Sequence, residues 1–409
     1  MIRNTSDIAV AVTGLGLTGA LGQDRETFWR RLVRGDSAIA LRHPFPLLPP
    51  WPMAMVGKQR ATVDNLLDPA VVEALADAGF SGPQPTMGVV IGSSRGYQGR
   101  LEQLALEYAA LWSGASGPDA SGLDVKAIET AGAMVTPGFS SWLQALPHHV
   151  SARVAQRIQT LGPVLAPMAA CATGLWAVAQ GVQLIQSGQC DRMLVGAVEA
   201  PITPLVLAGF DRMGALARTG CYPFDGAREG LAPGEGAAVL VLESSARTGD
   251  KPVYGHILGV GLTNDAYHVS SPVPGYRGAT AAIRRCLQHG QQPSEAIDYI
   301  HAHGTATRLN DAMEASVFNT LFPHRPFVSS TKGATGHTLG ASGAIGLGVC
   351  LMALRYQQLP PNTGLTQADV DLNIVRQSTP AVLDTALCCS FGFGGQNAAV
   401  VVGRDSRPD

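Results

Sequence analysis

Ten short apolar runs, alternating with longer helix-like segments, constrain the fold of this chain more than any other feature. Five lie early in the chain, at residues 8–13, 87–91, 164–169, 192–198 and 237–242. Five more follow Lys251, at residues 254–260, 299–303, 327–330, 387–390 and 398–402. Runs of this length are typical of buried strands, and the longer segments between them are typical of helices. The pattern predicts a layered α/β fold with helices on both faces of the sheet.

The two sets of strands indicate an internal duplication. The first set begins with "IAVAVTGLGL" and the second with "VYGHILGVGL". Each set also has a strand that runs into a Gly- and Ala-rich helix, "VLAPMAACATGLWAV" in the first and "FVSSTKGATGHTLGASGAIG" in the second. We therefore expect an N-terminal half at 1–250 and a C-terminal half at 251–409. Residues 93–150 look like an insertion that forms a cap or a dimer contact.

The bulk composition excludes several classes of protein. The chain has 409 residues, of which 46% are hydrophobic and 15% charged, and its formal net charge is −2. This composition does not fit a disordered chain, and it provides no positive field to attract nucleic acid or an anionic membrane. Seven cysteines without framework spacing are typical of a reducing compartment. We expect a cytoplasmic protein.

Two apolar segments resemble membrane or export signals. Residues 161–190 carry no charge, but Pro167, Thr173 and several glutamines interrupt them, so a strand followed by a buried helix explains them better. Residues 1–22 resemble a signal peptide, yet Asp7 and four glycines weaken that interpretation. We expect neither a membrane span nor an export signal.

The glycines at Gly14, Gly16 and Gly19 have the spacing of a dinucleotide-binding loop. The segment that follows is not a clean apolar helix, and no acidic residue ends a second strand at the expected distance. A plain strand-to-helix turn is therefore favoured over a cofactor site.

Cys171 lies in the uncharged stretch "APMAACATGLWAVAQGVQL". A buried free cysteine usually acts as a small hydrophobic side chain. This one follows a strand and precedes a helix predicted at 173–187, so its thiol would lie at a helix N-terminus, where a thiolate is stabilised. The segment by itself leaves both interpretations open.

Two further segments place histidines at strand ends. In "YIHAHGTATRLNDAMEA", His303 follows a strand, and Asp311 and Glu314 share one face of the next helix. In "SSTKGATGHTLGASGAIG", Lys332 and His337 leave another strand, and the order of residues is not that of a phosphate-binding P-loop. Paired imidazoles could donate hydrogen bonds to a developing enolate, whereas a structural histidine beside a capped helix is the alternative.

A fourth segment, "CCSFGFGGQNAAVVV", places Phe391 and Phe393 between glycines and between two strands. Backbone with so many glycines can approach another group closely and aim its N–H groups at a ligand. The alternative is a β-turn that carries two core aromatic rings.

The chain resembles the elongating branch of the β-ketoacyl-[acyl-carrier-protein] synthases, a synthase II-like ketosynthase family. The matching stretches, in family order and over nearly the whole chain, are "AACATG", "PFDGAREGLAPGEGAAVLVLE", "NDAYHVSSP", "HAHGTATRLNDAMEA", "SSTKGATGHTLGASGAIG" and "SFGFGGQNAAVVV". The resemblance implies a thiolase-like fold, in which two duplicated βαβαβ-type halves form an α-β-α-β-α core. It also implies an acyltransferase that condenses an acyl group with malonyl thioester and loses CO2.

The resemblance implies roles for five polar side chains. Cys171 would receive the acyl chain from the phosphopantetheine thioester of acyl carrier protein. His303 and His337 would promote decarboxylation of the malonyl group and bind the thioester oxygen. Lys332 would support these histidines, and Glu314 would be the acid linked to Lys332.

The resemblance also implies an oxyanion hole and a substrate channel. The backbone N–H groups of Cys171 and Phe393 would form the oxyanion hole, and Phe393 would gate the acyl pocket. Substrate-binding positions would be Thr305, Thr307, Ser270, Ser271, Phe391 and Gly394. No permanently bound cofactor and no metal are implied. Acyl carrier protein and a second copy of the chain are the implied partners, and a heterodimer with a paralogue is the alternative.

Four positions depart from the family pattern and point to a specialised role, for example in polyketide synthesis. They are Tyr222 for a basic residue, Arg308 for a proline, Gly346 for a glutamate and Gln396 for a threonine. Two rival functions stay open. A thiolase acting on acyl-CoA would need a second cysteine where Phe391 and Phe393 stand, and a non-catalytic chain-length partner would typically lack the cysteine.

Overall fold

The computed structural model describes residues 8–114 and 142–405. Within these residues, all ten predicted strands are present and join one ten-stranded sheet. Its strands are β1 (Val10–Gly19), β4 (Gly88–Gly92), β5 (Val164–Leu165), β6 (Arg192–Glu199), β7 (Gly236–Ser244), β8 (Gly255–Asn264), β9 (Tyr299–His301), β10 (Phe327–Ser329), β13 (Thr385–Gly392) and β14 (Gln396–Gly403). Two small antiparallel sheets of two strands pair β2 (Ile39–Arg42) with β3 (Trp51–Ala54) and β11 (Gln358–Leu359) with β12 (Thr379–Pro380).

The two halves of the large sheet have the same topology. The first half runs β1-β7-β6-β4-β5 and the second runs β8-β14-β13-β9-β10. In each half the first two pairings are antiparallel and the last two are parallel. A short antiparallel pairing of Val10, Ala11 and Val12 with β8 joins the halves. The predicted duplication is therefore confirmed at the level of strand order and direction.

The helices form three layers around the two half-sheets. Their bounds are α1 (Arg25–Val33), α2 (Val63–Asp77), α3 (Gln98–Gly114), α4 (His149–Ile158), α5 (Thr173–Gln186), α6 (Pro204–Arg212), α7 (Arg277–His289), α8 (Arg308–Leu321), α9 (Lys332–Thr335) and α10 (Ser342–Tyr356). Helices α5 and α10 contact each other and strands of both halves, so they form the central layer. Helices α2 and α4 cover the outer face of the first half, and α7 covers that of the second. The expected α-β-α-β-α order is confirmed.

The central helices come close together because small residues line their contact. A Cβ atom at Gly174 of α5 would lie 2.6 Å from the backbone nitrogen of Ala344 in α10. Helix α10 is buried along nearly its whole length because it packs between the half-sheets. The stretch Leu339–Tyr356, long and apolar enough to cross a membrane, is 89% buried inside the protein. Its composition is that of a core helix.

The glycine motif at the start of the chain lies inside strand β1, so the expected strand-to-helix turn is wrong. Cβ atoms at Gly14 and Gly16 would lie 2.2 and 2.0 Å from the backbone oxygens of Ala74 and Ala70 in α2. The glycines therefore let α2 pack directly on the backbone of β1. This packing explains their spacing without a nucleotide.

The division near residue 250 falls in the link between β7 and β8, and as a domain boundary it stays a prediction. The expected insertion at 93–150 includes α3 and the start of α4. Its residues 115–141 lie outside the described residues, so its use as a cap or dimer contact also stays a prediction.

We expect Gly16→Ala to lower the free energy of unfolding by about 2 kcal/mol or more, because its Cβ has no room against α2. Gly209→Ala is the matched control, since Gly209 lies in α6 with no atom within 4 Å of an added Cβ. We expect it to raise stability by about 0.5–1 kcal/mol. Unfolding by urea measures the free energy of unfolding of both variants. Equal changes in the two variants would contradict close packing of α2 on Gly16.

Candidate active site

Cys171 occupies a tight turn between β5 and α5. Ala170, directly before it, has a φ of 48°, a left-handed conformation that is uncommon for alanine. The Thr173 hydroxyl stabilises the turn by accepting from the Ala169 N–H at 2.9 Å and donating to the Ala170 carbonyl at 2.7 Å. The Ser390 hydroxyl donates to the Cys171 carbonyl at 2.8 Å. A strand of the second half thus holds the turn of the first.

Two imidazoles from the second half face the thiol. His303 follows β9, and His337 follows the short helix α9. One ring nitrogen of each histidine and the Cys171 sulfur all lie within 4.8 Å of one another. The imidazole rings meet edge to face, with centroids 5.2 Å apart. The structure therefore brings together the three side chains that the sequence singled out separately.

Phe391 lies near the end of β13, and Phe393 lies in the turn that joins β13 to β14. The backbone N–H of Phe393 lies close enough to the Cys171 thiol to lower its pKa, which is the position expected of an oxyanion-hole donor. The Phe391 ring lies 6.2 Å from the His303 ring. A Cβ at Gly392 would lie 3.0 Å from the Cys171 nitrogen, so a glycine is needed for this approach.

Lys332 and Glu314 lie behind the histidines and meet at the backbone of His303. The Lys332 ammonium donates to the His303 carbonyl and lies 3.4 Å from its Nδ1. The Glu314 carboxylate accepts from the N–H groups of His303 and Gly304 at 2.7 and 2.6 Å. These contacts fix the position of the imidazole, and they connect the lysine and the glutamate through one peptide.

Burial, more than any one charge, controls the protonation of the site. It raises the pKa of the Cys171 thiol to about 11, although the charge of Lys332 and the N–H of Phe393 both lower it. Burial and the charge of Lys332 hold the pKa values of His303 and His337 well below the usual range. The thiolate stabilisation expected from the helix N-terminus is thus opposed by desolvation. The resting site holds a neutral thiol beside two neutral imidazoles.

Glu314 and Lys332 are a coupled buried pair. Burial raises the pKa of Glu314 and lowers that of Lys332, while the charge of each opposes the shift of the other. Asp311, one turn earlier in α8, is also buried, and its pKa rises to about 6. The Asn310 amide donates to both carboxylates, at 3.1 Å to Asp311 and 2.7 Å to Glu314. This amide reduces the repulsion between the two acids.

Three supporting residues were not identified from the sequence as part of the site. Glu199, at the end of β6, is fully buried and accepts from Ser93, Ser94, Arg95 and Gly340, so it ties two loops beside the site together. Asp265 accepts from Val273 and Asn397. Ser390 holds the turn that carries the Cys171 thiol, through its hydrogen bond to the Cys171 carbonyl. No local pattern marks them, because a lone acid or serine near a strand end is usually solvated.

One cavity of about 440 Å³ contains the thiol. Of the predicted site residues, its wall includes Cys171, His303, His337, Thr305, Thr307, Ser270, Ser271, Phe391 and Phe393. Gly394 is not among the wall residues, and its N–H donates to the Val269 carbonyl at 2.8 Å. On its inner side the thiol belongs to an apolar cluster with Trp51, Met53, Phe210 and other side chains. The cavity wall itself includes both polar and apolar side chains.

The departures from the family pattern occupy different places. Arg308 lies on the cavity wall. Tyr222 packs its ring against Gly220 and Gly364. Gln396 begins β14. A Cβ at Gly346 would lie 2.6 Å from the ring of His301, so the buried His301 fills the space beside this helix position.

The donor atoms of Cys171, His303 and His337 would also suit a soft divalent ion such as Zn²⁺. An ion there would occupy the thiol and both imidazoles at once. The three side chains could therefore either bind a metal ion or take part in a reaction. The positive charge of Lys332 beside the imidazoles disfavours binding of a cation.

Comparisons with known proteins agree on one family. The models "Beta-ketoacyl synthase, N-terminal domain" and "Beta-ketoacyl synthase, C-terminal domain" match residues 59–247 and 254–366. A 3-oxoacyl-[acyl-carrier-protein] synthase 2 of Staphylococcus aureus is 30% identical over 97% of this chain and 98% of its own length.

Solved structures share the fold. A ketosynthase in complex with its chain length factor, from Xenorhabdus doucetiae, has a TM-score of 0.81 and 27% identity, covering 99% of this chain and 100% of that one. A ketosynthase in complex with a type II PKS acyl-carrier protein has a TM-score of 0.86 and 24% identity, covering 97% and 100%.

We expect iodoacetamide to alkylate Cys171 slowly at pH 7 and faster as the pH rises. Only the thiolate reacts, and burial raises the pKa of the thiol to about 11. Peptide mass spectrometry between pH 6.5 and 9.5 measures the rate. Lys332→Met removes a charge that lowers this pKa, so it should slow alkylation further at each pH. A rate that stops rising below about pH 8 would contradict burial as the dominant effect.

Proposed function

The chain belongs to the β-ketoacyl synthase family, and we propose that it performs the decarboxylative Claisen condensation of an acyl group held on Cys171 with malonyl-acyl carrier protein. The product is 3-oxoacyl-acyl carrier protein, in chain elongation of the fatty-acid or polyketide type. The observation that carries the proposal is the convergence of one thiol, two buried imidazoles and the Phe393 backbone in one cavity.

The first step transfers the acyl chain to the enzyme. The Cys171 sulfur forms a bond to the thioester carbonyl carbon, the bond to the pantetheine sulfur breaks, and the thiol proton passes to that leaving sulfur. Because the resting thiol is neutral, a neutral imidazole nearby is needed to carry this proton. The N–H of Phe393 is placed to stabilise the oxyanion that forms during attack. A covalent acyl-enzyme divides one difficult step into two easier ones.

The second step forms the new carbon–carbon bond. The carboxylate of the malonyl thioester leaves as CO2, and its bonding electron pair forms an enolate. His303 and His337, kept neutral by burial, donate N–H groups to the enolate oxygen. The enolate carbon attacks the acyl carbonyl carbon, the Cys171 sulfur leaves as a thiolate, and this thiolate takes a proton from solvent. Loss of CO2 generates the carbanion, so no strong base is required.

Two other functions fit less well. A non-catalytic, chain-length-determining subunit is suggested by the complex of a ketosynthase with such a factor. Cys171 between two imidazoles favours the catalytic subunit instead. A CoA-dependent thiolase would need a second cysteine where Phe391 and Phe393 meet the thiol.

We propose that the substrates arrive on the phosphopantetheine arm of acyl carrier protein and that no permanently bound cofactor is needed. Thr305, Thr307, Ser270 and Ser271 line the cavity, where their hydroxyls can bind the amides of the arm. We propose a cytoplasmic location, which agrees with seven unpaired cysteines.

We propose that a second copy of the chain pairs along β5. This strand is the edge of the sheet, and its two residues Val164 and Leu165 are 41% and 40% exposed. Met168, nearby, is 55% exposed. An apolar edge strand is a template for pairing, and pairing of like edges gives a two-fold dimer. The edge leads directly into the Cys171 turn, so dimerisation would also support the site.

We expect Cys171→Ala to lower condensation by more than about a thousandfold while decarboxylation of malonyl-carrier protein persists. His337→Ala should lower decarboxylation by about a hundredfold and leave acyl transfer to Cys171 measurable. Release of labelled CO2 and the mass of the acylated peptide, with a panel of acyl-carrier thioesters, separate these activities. Cys190→Ala is the control, because Cys190 lies outside the cavity. Full condensation by Cys171→Ala would reject the proposed nucleophile.

We expect Leu165→Lys to convert a dimer to a monomer, because a lysine on an edge strand opposes pairing. Val382→Lys is the matched control, since Val382 is 81% exposed and lies outside β5. Light scattering measures the mass of each variant. A dimeric Leu165→Lys protein would contradict pairing along β5, and a monomeric wild type would favour a paralogue as the partner.

A further inference from the structure

One stretch of the cavity wall leads from the catalytic thiol to the protein surface. It runs from His303 to Arg308, and His303, Thr305, Thr307 and Arg308 all line the cavity. Their exposure increases along the chain: His303 is 2% exposed, Thr305 is 6% exposed, Thr307 is half-buried and Arg308 is exposed. Five residue steps span at most roughly 17 Å. An arm that carries a thioester from the surface to Cys171 can therefore lie along this stretch.

Arg308 is the only lysine or arginine among the described residues that line this cavity. The acidic side chains on the cavity wall, those of Glu229 and Asp265, already have partners. Glu229 accepts from the N–H groups of Arg218 and Thr219, and Asp265 accepts from Val273 and Asn397. Within the part of the chain that the structure describes, no hydrogen bond or ion pair engages the Arg308 guanidinium.

The backbone at Arg308 adds to the positive potential. Arg308 is the first residue of α8, a helix of 14 residues that begins after the cap Thr307. A helix N-terminus favours a nearby anion, and a guanidinium can bind two phosphate oxygens at once. The family's usual proline at this position would supply neither a side-chain charge nor an N–H.

We infer that Arg308 binds the phosphodiester of the phosphopantetheine arm at the mouth of the cavity. The arm's amides then lie beside Thr305 and Thr307, and its thioester lies beside His303. This inference rests on the proposed use of carrier-bound substrates. It assigns a binding role to a position at which the chain departs from its family.

The test compares two thioester probes that differ only in the phosphate, acyl-pantetheine and acyl-4′-phosphopantetheine. The rate of Cys171 acylation by each is measured by peptide mass spectrometry. We expect the wild-type protein to prefer the phosphorylated probe by about tenfold, and Arg308→Gln to bring the ratio of rates close to one. Arg308→Lys should keep part of the preference, and added salt should reduce it. Arg284→Gln, an exposed arginine of α7 outside the cavity wall, should keep the wild-type ratio.

Each other outcome overturns a defined part of the scheme. If neither probe acylates wild-type Cys171, the proposed function fails. If both acylate it at equal rates, or if Arg308→Gln keeps the preference, the proposed function stands and the phosphate site is rejected. Acyl-CoA serves as a third probe. If it acylates Cys171 faster than acyl-4′-phosphopantetheine does, and Arg308→Gln removes this advantage, Arg308 is assigned to the diphosphate of coenzyme A. That result would overturn the assignment to the carrier-protein arm.

Discussion

Helices α5 and α10 touch at the centre of the molecule, and this contact positions both halves of the site. Gly174 leaves no room for a side chain against Ala344, so α5 and α10 meet backbone to backbone between the half-sheets. Each helix belongs to one half of the duplication, and each begins beside the site. Their contact therefore brings the thiol turn of the first half against the imidazoles of the second. A larger residue at Gly174 would separate the halves of the site before it altered any catalytic group.

The two halves have the same topology, yet they contribute different side chains to the site. Both halves place a strand, a turn and a Gly- and Ala-rich helix at equivalent positions. The first half uses its turn for the thiol, and the second uses the equivalent region for Lys332 and His337. Ser390 connects them by donating to the Cys171 carbonyl. Nucleophile and electrostatic groups can thus be positioned by separate halves of one folded unit.

The electrostatics of the site follow from its burial. A thiol with a raised pKa and imidazoles with lowered pKa values leave neutral groups around the substrate, and Lys332 is a positive charge held away from the cavity behind His303. Neutral imidazoles can donate hydrogen bonds without presenting a full charge to the enolate. In the proposed reaction the charge of Lys332 would stabilise negative charge as it develops, in a region where water screens it little.

Local patterns in the sequence were enough to predict the strands, the duplication and the residue types of the site. All ten predicted strands form the sheet, and the helix predicted after Cys171 ends within one residue of its expected position, because apolar runs and glycine stops are local signals. The resemblance to a known family supplied the roles expected of Cys171, His303 and His337. The protonation of Cys171 could not be predicted in this way, since desolvation of the thiol depends on what the second half packs against it. Tertiary contacts also explain Gly14 and Gly16, which let α2 pack on the backbone of β1. The same kind of contact places Glu199 and Ser390 beside the site. These properties arise from contacts between residues far apart in the chain, and no local pattern encodes them.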